Sequence, residues 1–191
     1  MTFSPSTMTE LSLNVLDIAQ NSVKAKASLI EISVDISTAE NRLVIIIKDN
    51  GCGMDEETVR KVIDPFYTTR TTRKVGLGVP FFKMSAEMTG GSFKIVSEKG
   101  KGTEVTAEYV LDSIDRMPLG DMPSTIETLV LYNTDIDFIY RYEVDGEGFE
   151  LNTVQMKDIL GGVPLDTPDV AEYIKEFLRE NTETVNKEKT F

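Results

Sequence analysis

Apolar and polar positions alternate with two different periods along the first 111 residues, and the change of period marks the elements. Leu11, Val15, Leu16, Ala19 and Val23 fall on one stripe at helical spacing, which predicts an amphipathic helix over 10–26 with Thr9 as a plausible N-cap. Residues 29–36 alternate with period two after the first position, as a half-buried strand does. Residues 42–48 are almost all β-branched and read as a second strand after the turn Ala39-Glu40-Asn41. A short helix over 55–63 carries acids in its first turn and stops before Pro65. A further helix over 78–89 has Pro80 in its first turn and ends at Gly90-Gly91. Strands 92–98 and 103–110 follow, joined by Lys99-Gly100-Lys101-Gly102. Strands joined by tight turns imply antiparallel pairing. The expected architecture is therefore an α/β (α+β) two-layer sandwich: a mixed, largely antiparallel sheet with helices on one face.

Beyond Leu111 the pattern weakens. Met117-Pro118-Leu119-Gly120 reads as a linker. Ile126, Leu129 and Val130 suit a helix capped by Asp121, and the same residues could also make a strand. Residues 137–144 and 149–152 flank Asp145-Gly146-Glu147-Gly148, a hairpin signal. A helix near 153–160 ends at Gly161-Gly162. Thr167-Pro168 starts a last helix with Val170, Tyr173, Ile174, Phe177 and Leu178 on one face. The tail from Asn181 is polar and expected to fray. The expected division is a domain over 1–111 and a small α/β extension over 112–191.

Charge sharpens that division. The net charge is -12. Residues 1–111 carry 13 Lys+Arg against 14 Asp+Glu, whereas residues 112–191 carry 7 against 18. The acidity belongs to the extension and argues against nucleic acid as a partner. The single cysteine excludes an internal disulfide and suits a cytoplasmic protein; no apolar run is long enough to span a membrane. The chain has no histidine, so it cannot carry a phosphohistidine of its own.

Against this background, five short stretches stand out. Asp17 and Asn21 lie four apart on the first helix, with Lys24 three beyond, so the three share an edge. A carboxylate can orient a water, an amide oxygen can ligate Mg²⁺ and an ammonium can meet a phosphate; the same edge could simply be the helix's solvated side. Asp49 ends a buried strand and precedes Gly51-Cys52-Gly53. It can accept from the exocyclic amine of adenine while the glycines let backbone approach the base, or it can be an ordinary turn. Gly76-Leu77-Gly78 leads into a helix, where free N–H groups favour phosphate. Arg70, Arg73 and Lys74 precede it without an intervening acid and could pair with phosphate oxygens, or form an exposed loop. Thr103 opens the last strand, where its hydroxyl could assist Asp49 directly or through water.

Taken in order, Asp17-Ile-Ala-Gln-Asn21-Ser-Val-Lys24, Asp49-Asn-Gly-Cys-Gly53, Phe66-Tyr-Thr-Thr-Arg70, Gly76-Leu-Gly78 and Gly100-Lys-Gly-Thr103 resemble the N, G1, F, G2 and G3 boxes of the Bergerat-fold (GHKL) ATPases. That superfamily includes sensor histidine kinases, anti-sigma-factor serine kinases, DNA gyrase B subunits, mismatch-repair ATPases and the ninety-kilodalton heat-shock chaperones. The resemblance covers about residues 9–111. Asn21-Ser-Val-Lys24 and Pro65 to Arg70 are most similar to the histidine-kinase branch, and Asn21 to Ile32 also resembles the mismatch-repair branch. The resemblance implies ATP and Mg²⁺ as ligands, with Asn21 on the metal and Lys24 on phosphate. It implies Asp49 on adenine, Gly51 and Gly53 shaping the pocket, and Thr103 supporting the base. Arg70, Arg73 and Lys74 would belong to the lid, Gly76 and Gly78 to its hinge beside the phosphates, and Phe66 and Leu77 would be among the nucleotide-binding residues.

Two departures qualify the expected activity. The superfamily's helix carboxylate is usually Glu; Asp17 sets it back by about 1.5 Å. Only about ten residues precede the first helix, 22 residues separate Gly53 from Gly76, and no phospho-acceptor histidine exists. The resemblance thus implies a stand-alone, histidine kinase-like ATP·Mg²⁺-binding protein that phosphorylates a side chain on a partner protein, with Asp17 taking the acceptor's proton. The alternative is an ATP-gated interaction module with slow or no hydrolysis. A homodimer is possible under either.

Overall fold

The computed structural model describes residues 10–66, 77–187 and 189–191. In chain order its elements are α1 (Leu11–Lys24), β1 (Leu29–Ser37), β2 (Arg42–Asp49), α2 (Glu56–Ile63), α3 (Gly78–Met88), β3 (Ser92–Glu98) and β4 (Gly102–Val110). Then follow α4 (Met122–Tyr132), β5 (Asp137–Val144), β6 (Glu147–Asn152), α5 (Thr153–Leu160) and α6 (Pro168–Asn186). One six-stranded sheet runs in the order β3-β4-β2-β1-β5-β6. Every neighbouring pair is antiparallel except β1 with β5, so the sheet is mixed, as the strand patterns predict.

The period-two alternation of β1 and β2 sets which face is dry. Ile30, Ile32, Val34 and Ile36 from β1, and Leu43, Ile45 and Ile47 from β2, all point to one side and are buried. Helices α1, α3, α4 and α6 form a contiguous layer on that side. The other side carries a ladder of ion pairs: Lys48–Glu31, Glu31–Arg141 and Arg141–Glu150. Such exposed pairs contribute little individually. Their value is to keep the open face polar.

The segment past Leu111 extends this sheet. β5 pairs with β1 along its length, and β6 closes the edge through a two-residue turn in which Asp145 (φ 52) and Gly146 (φ 82) are both left-handed. That is the backbone twist a tight hairpin favours. The stretch 121–130, open between helix and strand in the sequence, is helical, with the Asp121 side chain accepting from Ser124 N–H at 2.9 Å.

Two expectations change. The polar tail does not fray at Asn181: α6 continues to Asn186 and buries Val185. The hydroxyls of Thr182 and Thr184 and the amide of Asn181 donate to carbonyls four residues back, so the polar run is accommodated within the helix. The start of α1 is also held differently. Thr9 lies outside the described residues; the Leu11 and Ser12 N–H groups donate to the carbonyls of Pro118 (2.9 Å) and Leu119 (2.8 Å). The linker thus satisfies donors that a helix start leaves open. Gly120 (φ 78) permits this, since a Cβ there would overlap Glu10. Leu119 N–H donates in turn to the main-chain oxygen of Phe191 at 2.9 Å.

Candidate functional site

Asp49 continues the inward row of β2 after Leu43, Ile45 and Ile47, so a carboxylate occupies a core-facing position and is 9% exposed. Burial of a charged group is costly unless it is hydrogen-bonded. Here both oxygens are held: Gly51 N–H donates to Oδ1 at 2.8 Å, and Ser22 Oγ, from α1, donates to Oδ2 at 2.6 Å. The second bond ties the helix layer to the sheet at the site itself.

The glycines around Asp49 are there for close approach. At Gly51 a Cβ would stand 2.8 Å from the Ala25 carbonyl oxygen, against the end of α1. Gly53 is left-handed (φ 62), and a Cβ there would overlap the Glu98 carbonyl. Cys52 N–H donates to Ala25 O at 2.9 Å, and Gly100 N–H donates to Cys52 O at 2.7 Å. The turn is clamped between α1 and the β3–β4 hairpin, and Cys52 itself is exposed. Asn50 faces the other way: its Oδ1 accepts from the N–H groups of Ser28 and Leu29, closing the entry to β1.

β-sheet register brings in the remaining polar residues. Thr103 pairs with Asp49 on one side and with Ser97 on the other, so Ser97, Thr103 and Asp49 form a row across three strands. Ser97 Oγ accepts from Met54 N–H at 2.8 Å and donates to Gly102 O at 3.0 Å, and it lies 2.8 Å from Thr103 Oγ1.

These residues line a cavity of about 190 Å³ between α1, the Asp49 turn and the sheet end. Asn21, Ser22, Asp49, Gly53 and Thr103 are its polar or glycine lining; Ile18, Ile47 and Val105 supply apolar walls. A mostly apolar cavity with a few polar residues on its wall suits a heteroaromatic base.

Val79, at the start of α3, also reaches the cavity, and its neighbour Gly78 meets α1 directly. A Cβ at Gly78 would stand 2.8 Å from Asp17 Oδ2. The exposed Asp17 carboxylate is therefore packed against the first turn of α3. The far end of α3 is anchored by Ser85 Oγ, 3.0 Å from the Tyr109 hydroxyl. Burial pushes that tyrosine well above its ordinary range, with the Ser85 bond acting the other way.

The sequence-predicted residues thus divide. Asn21, Asp49, Gly53 and Thr103 line the cavity, Gly51 stands behind it as an N–H donor to Asp49, and Asp17 meets Gly78. Lys24 is exposed in the last turn of α1, where a cation suits the helix dipole, and it is not part of the cavity wall. Phe66 and Leu77 are exposed at 79% and 41% and do not line the cavity. Arg70, Arg73, Lys74 and Gly76 lie outside the described residues. Sequence reasoning missed Ser22 and Ser97. Ser22 had one available signal, its place beside Asn21 on the turn of α1 that faces Asp49.

A helix layer over a mixed sheet, with a carboxylate at the end of a central strand and glycine turns on either side, defines a nucleotide-binding α/β sandwich. The family model for "Histidine kinase-, DNA gyrase B-, and HSP90-like ATPase" matches residues 7–113, and the chain belongs to that family, carrying a histidine kinase-like ATP-binding domain. Among curated relatives, a sensor protein of Shewanella frigidimarina is 33% identical over 107 residues, 56% of this chain and 16% of the relative. Sporulation kinase D of Bacillus subtilis is 30% identical over 92 residues, 48% of this chain and 18% of that protein. The chain thus spans less than a fifth of the length of these relatives. Among solved structures, the N-terminal domain of a DNA repair protein superposes with a TM-score of 0.54 at 18% identity, covering 76% of this chain and 53% of that one, a likeness of fold.

Proposed function

We propose that this protein binds ATP·Mg²⁺ in the cavity below α1 and transfers the terminal phosphoryl group to a side chain of a partner protein. The observation that carries this is the contact of Asp17 with Gly78: it sets a carboxylate beside the helix start where phosphate would lie. In this reading Asp49 receives the base, Asn21 holds Mg²⁺ and Asp17 takes the acceptor's proton. Lys24, Phe66, Arg70, Arg73, Lys74, Gly76 and Leu77 keep the roles that the family resemblance implies.

The residues present suit such an ion. Among the described residues there is no group of three or more His, Cys, Asp or Glu that could hold a metal by itself. Mg²⁺ keeps several waters and takes much of its shell from substrate phosphates; Asn21, on the cavity wall, would add an amide oxygen to a shell completed by ATP and water. The ion would neutralise charge on the phosphates; the chain's own residues orient the base and the acceptor.

A second reading, the ATP-gated interaction module, is favoured by the same contact seen from the other side. Asp17 touches Gly78, which the family resemblance assigns to the hinge of the lid, so a change at that hinge on ATP binding would be felt at the carboxylate.

Isothermal titration with ATP·Mg²⁺ tests both readings together, and no binding at millimolar ATP overturns both. Incubation with γ-labelled ATP and cell extract then separates them. Transfer of label to another polypeptide, abolished by Asn21→Ala, is expected. Binding without label transfer leaves the gated module.

A further inference from the structure

We infer that Ser22 and Ser97 are positioning residues that hold the polar wall of the cavity in a hydrogen-bond-accepting state, and so select a base bearing a 6-amino group. The inference rests on the ATP reading above and narrows it to the chemistry at one position of the purine.

The proton inventory follows from the bonds present. A carboxylate only accepts, so the 2.6 Å contact between Ser22 Oγ and Asp49 Oδ2 places the Ser22 proton on Asp49. A carbonyl likewise only accepts, so the Ser97 proton lies on Gly102 O. Ser97 Oγ already accepts from Met54 N–H. The arrangement that satisfies all three Ser97 contacts at once has Thr103 donating across the remaining 2.8 Å to Ser97. Each hydroxyl has one proton, and all three are engaged within the protein: on Asp49, on Gly102 O and on Ser97.

What remains facing the cavity from Ser22, Asp49 and Thr103 is lone pairs. Thr103 and Asp49 are register partners on adjacent strands, so these acceptors sit side by side. A 6-amino group offers two N–H donors to such a wall. A base without it leaves buried acceptors unmatched, which is the costlier error. The serines do not need to touch the base. Ser22 fixes the rotation of the Asp49 carboxylate together with Gly51 N–H, and Ser97 draws the Thr103 proton out of the site.

Removing either serine has a distinct consequence. In Ser22→Ala, Asp49 loses one of its two anchors. In Ser97→Ala, the Thr103 proton is released and is free to turn to Asp49, its register partner on β2, where it competes with the incoming amine.

The test compares ATP with purine riboside triphosphate, which lacks only the 6-amino group, by titration calorimetry in the presence of Mg²⁺ on the full chain. Wild type is expected to prefer ATP by at least about tenfold. Ser22→Ala and Ser97→Ala should each shrink that ratio at least about threefold by weakening ATP, leaving the riboside triphosphate within about twofold of wild type. Ser97→Thr, which restores the hydroxyl, should keep the wild-type ratio. If both alanine variants weaken the two nucleotides equally, the serines serve only the fold and the inference is overturned. Should Ser97→Ala not fold by circular dichroism, Thr103→Val reads the same acceptor directly, and an unchanged ratio there also overturns it. Wild type that binds neither nucleotide overturns the ATP reading itself, a result distinct from binding without preference.

Discussion

Asp17 Oδ2 stands where only a glycine can face it: a Cβ at Gly78 would come within 2.8 Å of that oxygen and 3.1 Å of the Asp17 Cβ. Gly78 is buried, so the conflict cannot be relieved towards solvent. Gly78→Ala should therefore overpack the α1–α3 contact and cost about 1–3 kcal/mol of stability. Asp17→Ala in the same chain should recover most of the loss. Urea unfolding of the four proteins gives the coupling, and simple additivity of the two changes would show that the contact does not constrain α3.

Asp49 is the acceptor around which the cavity is built. Asp49→Asn keeps the shape but sets its NH₂ either against Gly51 N–H, two donors face to face, or against Ser22 Oγ, which must then turn its proton elsewhere. ATP affinity should fall by about 1–3 kcal/mol, roughly fivefold to more than a hundredfold. Calorimetry checks this, and an unchanged Kd removes Asp49 from base recognition.

At the opposite end of the sheet, Asp145 clasps three parts of the chain. Its carboxylate accepts from Thr38 N–H at 2.7 Å and from the Thr38 hydroxyl, and pairs with Lys189 at 3.1 Å. The Thr38 backbone bond, foremost, with Lys189 and the Thr38 hydroxyl, holds its pKa below the usual 3.8. A carboxyl whose pKa is depressed by folding stabilises the fold above its unfolded value and loses that contribution as pH falls through the folded value. Wild type should thus lose thermal stability below about pH 4 more steeply than Asp145→Asn. Melting curves between about pH 2.5 and 6 test this, and parallel curves would deny the clasp a role.

Tyr140 is fully buried in β5, and its hydroxyl has no hydrogen-bond partner among the described residues. Burial, followed by the charge of Tyr142, pushes its pKa well above the ordinary value. An unmatched buried hydroxyl is a cost that phenylalanine avoids. Tyr140→Phe should leave stability unchanged or raise it by about 1 kcal/mol in denaturant unfolding. A loss of that size would reveal a partner for the hydroxyl.

The fold was legible where burial is one-sided and periodic. Both strands of the β1–β2 pair announce their inner face by alternation, and α1 by its apolar stripe. Ile126, Leu129 and Val130 were not decisive, because three apolar residues over five positions fit a helix face or a buried strand. The end of α6 was hidden because Asn181, Thr182 and Thr184 look like loop residues until their side chains find carbonyls one turn back. The site was legible where motifs are local, as at Asp49 to Gly53. Ser97 was not, since its part depends on the register that sets it opposite Thr103.

The cap on α1 carries a consequence for how distant parts of the chain communicate. The helix that bears Asp17, Asn21 and Ser22 begins on the carbonyls of Pro118 and Leu119, and Leu119 is itself held by Phe191. A chain cut after residue 111 should unwind the first turn of α1 and bind nucleotide more weakly, even though every cavity-lining residue is retained. The relation runs both ways. If gripping the strap formed by 118–120 and Phe191, or pulling it loose, changes nucleotide affinity, then nucleotide changes the grip by the same factor. A sensor of the loaded state can therefore sit on the face of the protein remote from the base, reading occupancy through one helix end.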